Sequence, residues 1–128
     1  MEFERFVEAL KVLSDETRIR ILKLLEKSPA YLCQITAVLG FSPSTVSAHM
    51  VKLKHFGFVS EKREGTKVLF SLSEPEDENL RKVMASILEK AESFPSVLED
   101  RQKFKESTLD RVCPPGGIVG KKKSRRGS

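Results

Sequence analysis

Residues 41–59, FSPSTVSAHMVKLKHFGFV, decide the fold of this chain. Pro43 suits the first position of a helix, where its missing N–H costs no hydrogen bond, and Ser42 suits the N-cap before it. At about 100° per residue, three large apolar residues fall on one narrow stripe of that helix. They are Val46, Met50 and Leu53. The stretch therefore predicts a turn followed by an amphipathic helix with one buried face.

The opposite face of this helix carries small polar and basic side chains. They are Ser44, Thr45, Ser47, Ala48, Lys52 and His55. Such a face on a helix that starts from a tight turn fits the major groove of DNA, and the alternative is an ordinary solvated helix. His49 lies about 70° from the centre of the buried stripe. It is therefore either a DNA contact or a flank residue that hydrogen-bonds to backbone.

The segments before residue 41 predict the rest of a helix-turn-helix. Residues 3–13 and 17–26 have apolar side chains at helical spacing, and residues 30–39 predict a short third helix. Gly40 occupies the position of a left-handed glycine that ends a helix. Helix, glycine-containing turn and helix is the spacing of the helix-turn-helix motif.

The segment after the helix predicts a hairpin, or wing. Residues 58–61 and 67–72 alternate between apolar and polar side chains, and a tip containing Gly65 separates them. Lys62 and Arg63 make this tip basic. Basic residues there can reach phosphates or the minor groove, and the alternative is a solvated turn.

The C-terminal part predicts one strong helix and one weaker one. Residues 76–91 have a wide apolar stripe that either the first helix or a second copy of both helices must cover, and residues 97–109 add the weaker helix. From Cys113 onward the composition cannot bury a core, so we expect a flexible tail. The predicted fold is mainly α with a small β-hairpin (α+β), a winged helix-turn-helix with five helices and an extra C-terminal helix.

Charge divides the 128-residue chain, whose formal net charge is +5. Residues 43–69 contain five basic and two acidic side chains, whereas residues 74–110 contain ten acidic and six basic ones. The positive part suits a polyanion. The tail adds Lys121, Lys122, Lys123, Arg125 and Arg126, which either strengthen non-specific DNA binding or are simply solvated. Without a signal peptide or a membrane-spanning run, we expect a cytoplasmic protein.

The two cysteines, Cys33 and Cys113, are 80 positions apart and form no CxxC pair. In a reducing compartment we expect them to be thiols rather than a structural disulfide. Cys33 is either a small buried hydrophobe or a sensor, and Cys113 is either an incidental tail residue or its partner, within a protomer or across a dimer. Nothing in the sequence resembles a catalytic constellation, so an enzyme is not expected.

Two segments resemble the ArsR-type (ArsR/SmtB) family of bacterial transcriptional repressors. They are residues 10–25, LKVLSDETRIRILKLL, and residues 44–59, STVSAHMVKLKHFGFV, with Arg63-Glu64-Gly65 following them. The resemblance covers about residues 5–92. It implies a winged helix-turn-helix and dimerisation domain over residues 1–92. The pattern and composition of the rest predict a helical extension over residues 93–112 and a flexible basic tail over residues 113–128.

The resemblance also implies a homodimer, held by the 3–13 and 76–91 helices, that binds double-stranded operator DNA. Each protomer would place residues 43–56 in a major groove of a palindromic site. The implied DNA-binding residues are Ser42, Ser44, Thr45, Ser47, Ala48 and His49, with Lys52, Lys62, Arg63 and Lys67 on phosphates. The rival hypothesis is a winged-helix protein-interaction module, or a regulator without a small-molecule effector.

Members of this family commonly release DNA when a metal or metalloid binds or a thiol is oxidised. A frequent arsenite motif, Glu-Leu-Cys-x-Cys, here reads Tyr31-Leu32-Cys33-Gln34-Ile35, so the second cysteine is missing. Arsenite prefers three thiolates, and this chain has two. The family's zinc site on the last helix cannot be carried over, because residues 80–94 contain no histidine. No cofactor is certain, and the expected signal is arsenite, another thiophilic metal ion or oxidation at Cys33 and Cys113.

Overall fold

The structure is a computed structural model, and it describes residues 1–107 and 109–113. The helices are α1 (Phe3–Leu13), α2 (Glu16–Lys27), α3 (Leu32–Leu39), α4 (Pro43–His55), α5 (Glu78–Lys90), α6 (Pro95–Glu106) and α7 (Leu109–Val112). The strands are β1 (Ala30–Tyr31), β2 (Val59–Glu64) and β3 (Lys67–Leu72). The predicted winged helix-turn-helix, mainly α with a small sheet, is confirmed. Among the helices of the described ranges, none is long and apolar enough to cross a membrane.

The sheet has three antiparallel strands in the order β1-β3-β2, rather than the two of the predicted hairpin. The wing pairs Val59 with Leu72 at one end and Glu64 with Lys67 at the other. Ala30 pairs with Phe70, so the prediction that residue 30 begins a helix is wrong. The reason is local: a residue before proline avoids helical geometry, and Ser28, before Pro29, is extended. The chain therefore reaches the sheet edge before α3 begins.

The helix caps also differ from the prediction by one or two residues. The Asp15 side chain accepts a hydrogen bond from the backbone N–H of Arg18, so α2 begins at Glu16 rather than at residue 17. The Asp77 side chain accepts from the backbone N–H of Leu80 at 2.9 Å, so α5 begins at Glu78 rather than at residue 76. In both cases an aspartate outcompetes the neighbouring residues because its short carboxylate reaches the exposed N–H groups of the first turn.

The apolar core is centred on α2 and on the buried face of α4. Val46, Met50 and Leu53 are all buried, as their helical spacing predicts. They pack in one cluster with the aliphatic residues of α2, such as Ile21 and Leu22. Complete burial of each such side chain contributes about 1.5–3 kcal/mol to folding. The packing leaves the opposite, polar face of α4 on the surface.

The C-terminal extension folds back onto the domain. The weak helix predicted over residues 97–109 is instead two helices, α6 and α7, and α6 packs against α2 and α3. Arg20 of α2 donates two hydrogen bonds to Asp100 of α6, from Nε at 2.8 Å and from Nη2 at 2.9 Å. Asp100 is only 2% exposed. This paired contact raises the pKa of the Arg20 guanidinium through its hydrogen bond to the carboxylate.

A second ionic cluster joins α2 to the end of α5. The ammonium of Lys23, a residue only 1% exposed, donates to Glu26 at 2.6 Å, to the Leu88 carbonyl at 2.7 Å and to Glu92 at 2.7 Å. Arg101 of α6 also donates to Glu92. The hydrogen bonds from Arg101 and then from Lys23 lower the pKa of Glu92 to about 2. The buried ammonium is therefore fully partnered.

We predict that Asp100→Asn lowers the free energy of unfolding by about 2–3 kcal/mol, because it removes the buried carboxylate that accepts two hydrogen bonds from the Arg20 guanidinium. The matched control is Glu106→Gln, which removes an exposed carboxylate at the other end of α6 and should change stability by less than about 0.5 kcal/mol. Urea unfolding followed by circular dichroism measures both. Equal effects of the two substitutions would show that the Arg20–Asp100 contact does not anchor α6.

Candidate nucleic-acid interface

The turn between α3 and α4 has the geometry that its sequence predicts. Gly40 ends α3 in the left-handed conformation, with φ at 80°, and its N–H donates to the Thr36 carbonyl at 2.9 Å. Pro43 then begins α4, and the Ser42 hydroxyl accepts a hydrogen bond from the Thr45 backbone N–H at 3.2 Å. The turn therefore fixes where α4 starts and which residues lie at its exposed end.

The first two turns of α4 present small side chains to solvent. Ser42, Ser44, Thr45 and Ala48 are exposed, Ser47 is half-buried, and Lys52 is exposed farther along the helix. The Ser42 hydroxyl lies 3.2 Å from that of Ser44 and 2.9 Å from that of Thr45. These hydroxyls stand at a helix N-terminus, where free N–H groups and the helix dipole favour negative charge.

His49 is half-buried beside this surface and bonds to another helix. Its Nδ1 lies 3.0 Å from Nη1 of Arg18 in α2, so its partner is a side chain and not the backbone that we considered. Burial is the main cause that lowers the pKa of His49, and Arg18 and Lys52 lower it further, whereas Asp15 acts in the opposite direction. Whether His49 also contacts DNA stays a prediction.

The wing carries the basic residues that the sequence singled out. Lys62 and Arg63 are exposed on β2, and Lys67 is half-buried at the start of β3. Because side chains alternate along a strand, Lys62 and Arg63 lie on opposite faces of the wing. A duplex bound on one face of the wing would therefore meet these two residues differently.

The tip of the wing is held by a contact that the sequence did not reveal. The Tyr31 hydroxyl in β1 donates to the Glu64 carboxylate at the end of β2, and this hydrogen bond raises the pKa of Tyr31. No sequence pattern predicted β1, so nothing placed Tyr31 beside the wing. Lys54 of α4 lies 3.3 Å from Glu61 of β2, so an ion pair joins the helix to the wing.

The two cysteines meet, contrary to the expectation of separate thiols. Cys33 in α3 and Cys113 after α7 form a disulfide, with their Cα atoms 5.5 Å apart. Cys113 was predicted to begin a flexible tail, but it is only 4% exposed because α7 packs against α3. The tail predictions for residues 114–128 lie outside the described residues.

The structure also shows which side chains are close enough together to bind a metal ion. Within residues 1–107 and 109–113, no group of three or more His, Cys, Asp or Glu side chains is arranged to hold an ion. The predicted pair of sulfur ligands is thus brought together, but no third ligand stands beside it in that part of the chain. A site for arsenite with three thiolates would need a ligand from elsewhere.

The family model described as "Bacterial regulatory protein, arsR family" matches residues 15–61 of the chain. These residues run from the N-cap of α2 into β2. The chain is 38% identical over 66 residues to an uncharacterized HTH-type transcriptional regulator of Methanocaldococcus jannaschii, MJ1325, covering 51% of this chain and 74% of that protein. It is 35% identical over 65 residues to MJ1398 of the same organism, which covers 51% of this chain but only 17% of that longer protein.

A relative with a stated role is the arsenical resistance operon repressor of Staphylococcus xylosus. It is 33% identical over 73 residues, which cover 57% of this chain and 70% of the repressor. Among solved structures, Rv0081 of Mycobacterium tuberculosis is 26% identical with a TM-score of 0.57, over 71% of this chain and 92% of that one. These similarities all cover the helix-turn-helix, and the sequence matches are to DNA-binding transcriptional regulators.

Proposed function

The chain belongs to the arsR family of bacterial regulatory proteins, and from that membership we propose that it is a dimeric repressor of a palindromic DNA operator. The observation that carries the proposal is the exposed, small and hydroxyl-rich face at the start of α4, beside a basic wing. The opposite face of α4 is fully buried, so the helix has one surface free to meet a partner.

The exposed face of α4 supports base reading in a major groove. That groove is about 12 Å wide and admits a helix. Ser44 and Thr45 offer hydroxyls that can donate to or accept from base edges, and the Ala48 methyl can pack against a thymine methyl. Ser42 and Ser47 stand at the margins of this surface, because Ser42 caps the helix and Ser47 is half-buried.

The cations of α4 and the wing support phosphate contacts beside the reading surface. Lys52 on α4 and Lys62 and Arg63 on β2 are exposed, and Lys67 on β3 is half-buried. Each phosphate that such a side chain neutralises releases condensed counterions from DNA, so operator affinity should fall steeply as salt rises.

We predict that Lys52→Ala and Arg63→Ala each weaken operator binding and reduce the slope of log affinity against log salt by about 0.9, the value for one lost phosphate contact. Fluorescence anisotropy on a duplex from the chain's own promoter, between 50 and 200 mM salt, measures this. The control Lys105→Ala removes an exposed lysine from α6, outside the proposed DNA and dimer surfaces, and should leave the slope unchanged. Unchanged slopes in both test variants would refute the phosphate assignments.

If the wild-type chain binds that duplex no better than an unrelated one, the repressor proposal fails. The alternative function, a winged-helix protein-interaction module, would then be favoured.

The dimer is proposed to form through α1 and α5. Phe3 is 80% exposed on α1, and Val7 beside it is half-buried. Val83 and Ile87 on α5 are half-buried as well. A second copy would cover these apolar side chains and place two copies of α4 about one DNA turn apart, which is what a palindromic site requires.

We predict that Phe3→Glu shifts the dimer toward monomer and weakens operator binding about 10-fold or more, because it buries a charge at the proposed interface. The matched control is Phe94→Glu, at another exposed phenylalanine between α5 and α6. Light scattering after size exclusion gives the mass of each variant. If the Phe3→Glu and Phe94→Glu variants both remain dimers of equal stability, α1 does not form the interface.

The signal is proposed to enter through Cys33 and Cys113, with oxidation as the event that the paired sulfurs support best. With hydrogen peroxide, one thiolate attacks a peroxide oxygen, the O–O bond breaks, and the thiolate becomes a sulfenic acid while hydroxide leaves. The second thiolate attacks that sulfur, the S–O bond breaks as the disulfide forms, and a second hydroxide leaves; each hydroxide takes a proton from solvent and becomes water. Two electrons pass from sulfur to peroxide. The link ties Cys113, just after α7, to α3, the first helix of the helix-turn-helix. We propose that closing or opening this link is what changes the affinity for DNA, with release in the oxidised state.

Arsenite or another thiophilic ion remains the second candidate signal. The Staphylococcus xylosus relative is named as an arsenical resistance operon repressor, and the two sulfurs of this chain lie close enough to share an ion once reduced. A third ligand would come from the partner protomer or from solvent.

We predict that peroxide lowers the operator affinity of the reduced protein about 10-fold and that dithiothreitol restores it, within the usual range of coupling between two sites. Cys33→Ser and Cys113→Ser should bind the operator as the reduced wild type does and should not respond. The same assay with arsenite separates the two signals. Release that persists in the double variant would refute both thiol hypotheses.

A further inference from the structure

We infer that Arg18 positions α4 for DNA through its hydrogen bond to His49, and that His49 serves this role only when neutral. The inference rests on the proposed DNA-binding function of α4. It assigns His49 to the support of the reading surface, although the sequence placed it among the residues that contact DNA.

Arg18 joins three parts of the domain through one side chain. Although charged, it is only 9% exposed. Its Nε donates to the Val12 carbonyl at the end of α1, at 2.6 Å. Its Nη2 lies 3.9 Å from Asp15, the N-cap of α2, and its Nη1 lies 3.0 Å from Nδ1 of His49 in α4. A guanidinium is planar and rigid, so these contacts fix α4 relative to the corner between α1 and α2.

The bond defines the protonation state of His49. Arginine is a donor only and stays charged at every relevant pH, so Nδ1 of His49 must accept and the ring proton must sit on Nε2. A protonated imidazole has no acceptor nitrogen. It would also put a second positive charge 3.0 Å from the guanidinium. Protonation therefore breaks the bond and adds repulsion.

The surroundings of His49 favour the neutral ring. Burial lowers its pKa most, and the positive charges of Arg18 in α2 and Lys52 in α4 lower it further. Asp15, at the start of α2, opposes them. Because the folded pKa lies below the ordinary value of about 6.5, the contribution of His49 to stability is complete above that pH. It is lost as pH falls through the lowered folded pKa.

The two roles for His49 predict opposite effects of acid on DNA binding. If His49 touches phosphate directly, protonation adds a positive charge at the interface and acid tightens binding. If His49 holds α4 through Arg18, protonation releases α4 and acid weakens binding. The sign of the pH dependence therefore separates a contact from a positioning residue.

The test measures operator affinity from pH 7.5 to 5.5 at constant ionic strength, with the cysteines kept reduced. His49→Asn places an amide oxygen where Nδ1 stood, so it keeps an acceptor and cannot titrate. His49→Leu removes the acceptor at similar volume. His55→Asn is the control, because His55 is the other histidine of the chain and lies exposed at the end of α4.

We expect the wild type and His55→Asn to lose about 10-fold in affinity as the pH falls, a size typical of a hydrogen bond to a charged group. His49→Asn should bind within a few-fold of wild type at pH 7.5 and show no pH dependence. His49→Leu should bind weakly at every pH. Acid-tightened binding that disappears in His49→Asn, or a flat wild-type profile, would overturn the inference.

A measurement without DNA separates this inference from the proposed function. Thermal unfolding of the wild type should lose stability over the same pH range, and His49→Asn should lose less. If no variant binds the operator at any pH, the proposed function fails, and this difference in unfolding still supports the Arg18–His49 bond. Identical unfolding profiles would refute the bond.

Discussion

Three cationic side chains of α2 must find partners inside the fold, because a charge withdrawn from water costs several kcal/mol unless it is paired. Each of the three also reaches a different element outside α2. Arg18 reaches the end of α1 and His49 in α4, Arg20 reaches Asp100 in α6, and Lys23 reaches the end of α5. Apolar packing alone would tolerate small slides between these helices. The three cations make α2 the element against which the others are oriented.

This arrangement connects the proposed signal to the proposed reading surface through packed helices. The disulfide joins the end of the C-terminal extension to α3, while α6 in the same extension is anchored to α2 through Asp100. The helix α4 packs against both α2 and α3. Directly packed helices therefore connect the cysteines to α4. By linkage, DNA bound at α4 would change the stability of the disulfide by the same free energy.

The sequence predicted the parts of the fold that depend on local chemistry. Gly40, Ser42 and Pro43 defined the turn, and the spacing of the apolar residues in α4 defined its buried face. It missed β1, because two residues carry no periodicity. It also missed the buried cations and the site of Cys113. Lysine and arginine are normally exposed, and their partners here lie up to 80 residues away, where no local pattern connects them.

The same contrast between local patterns and long-range contacts explains why the exposed face of α4 was easier to predict than the Arg18–His49 bond that orients it. Exposure of Ser44, Thr45 and Ala48 follows from burial of the opposite stripe, which a helical period reveals. Burial resists separation of α4 from the core, but it is non-directional and sets the rotation of a helix only loosely. A hydrogen bond is directional, and the bond from Arg18 to His49 meets α4 at the boundary between its buried and exposed faces. Base recognition needs side chains placed to within a fraction of an ångström. The Arg18–His49 bond therefore sets the rotation of α4, which the burial of its apolar stripe fixes only loosely.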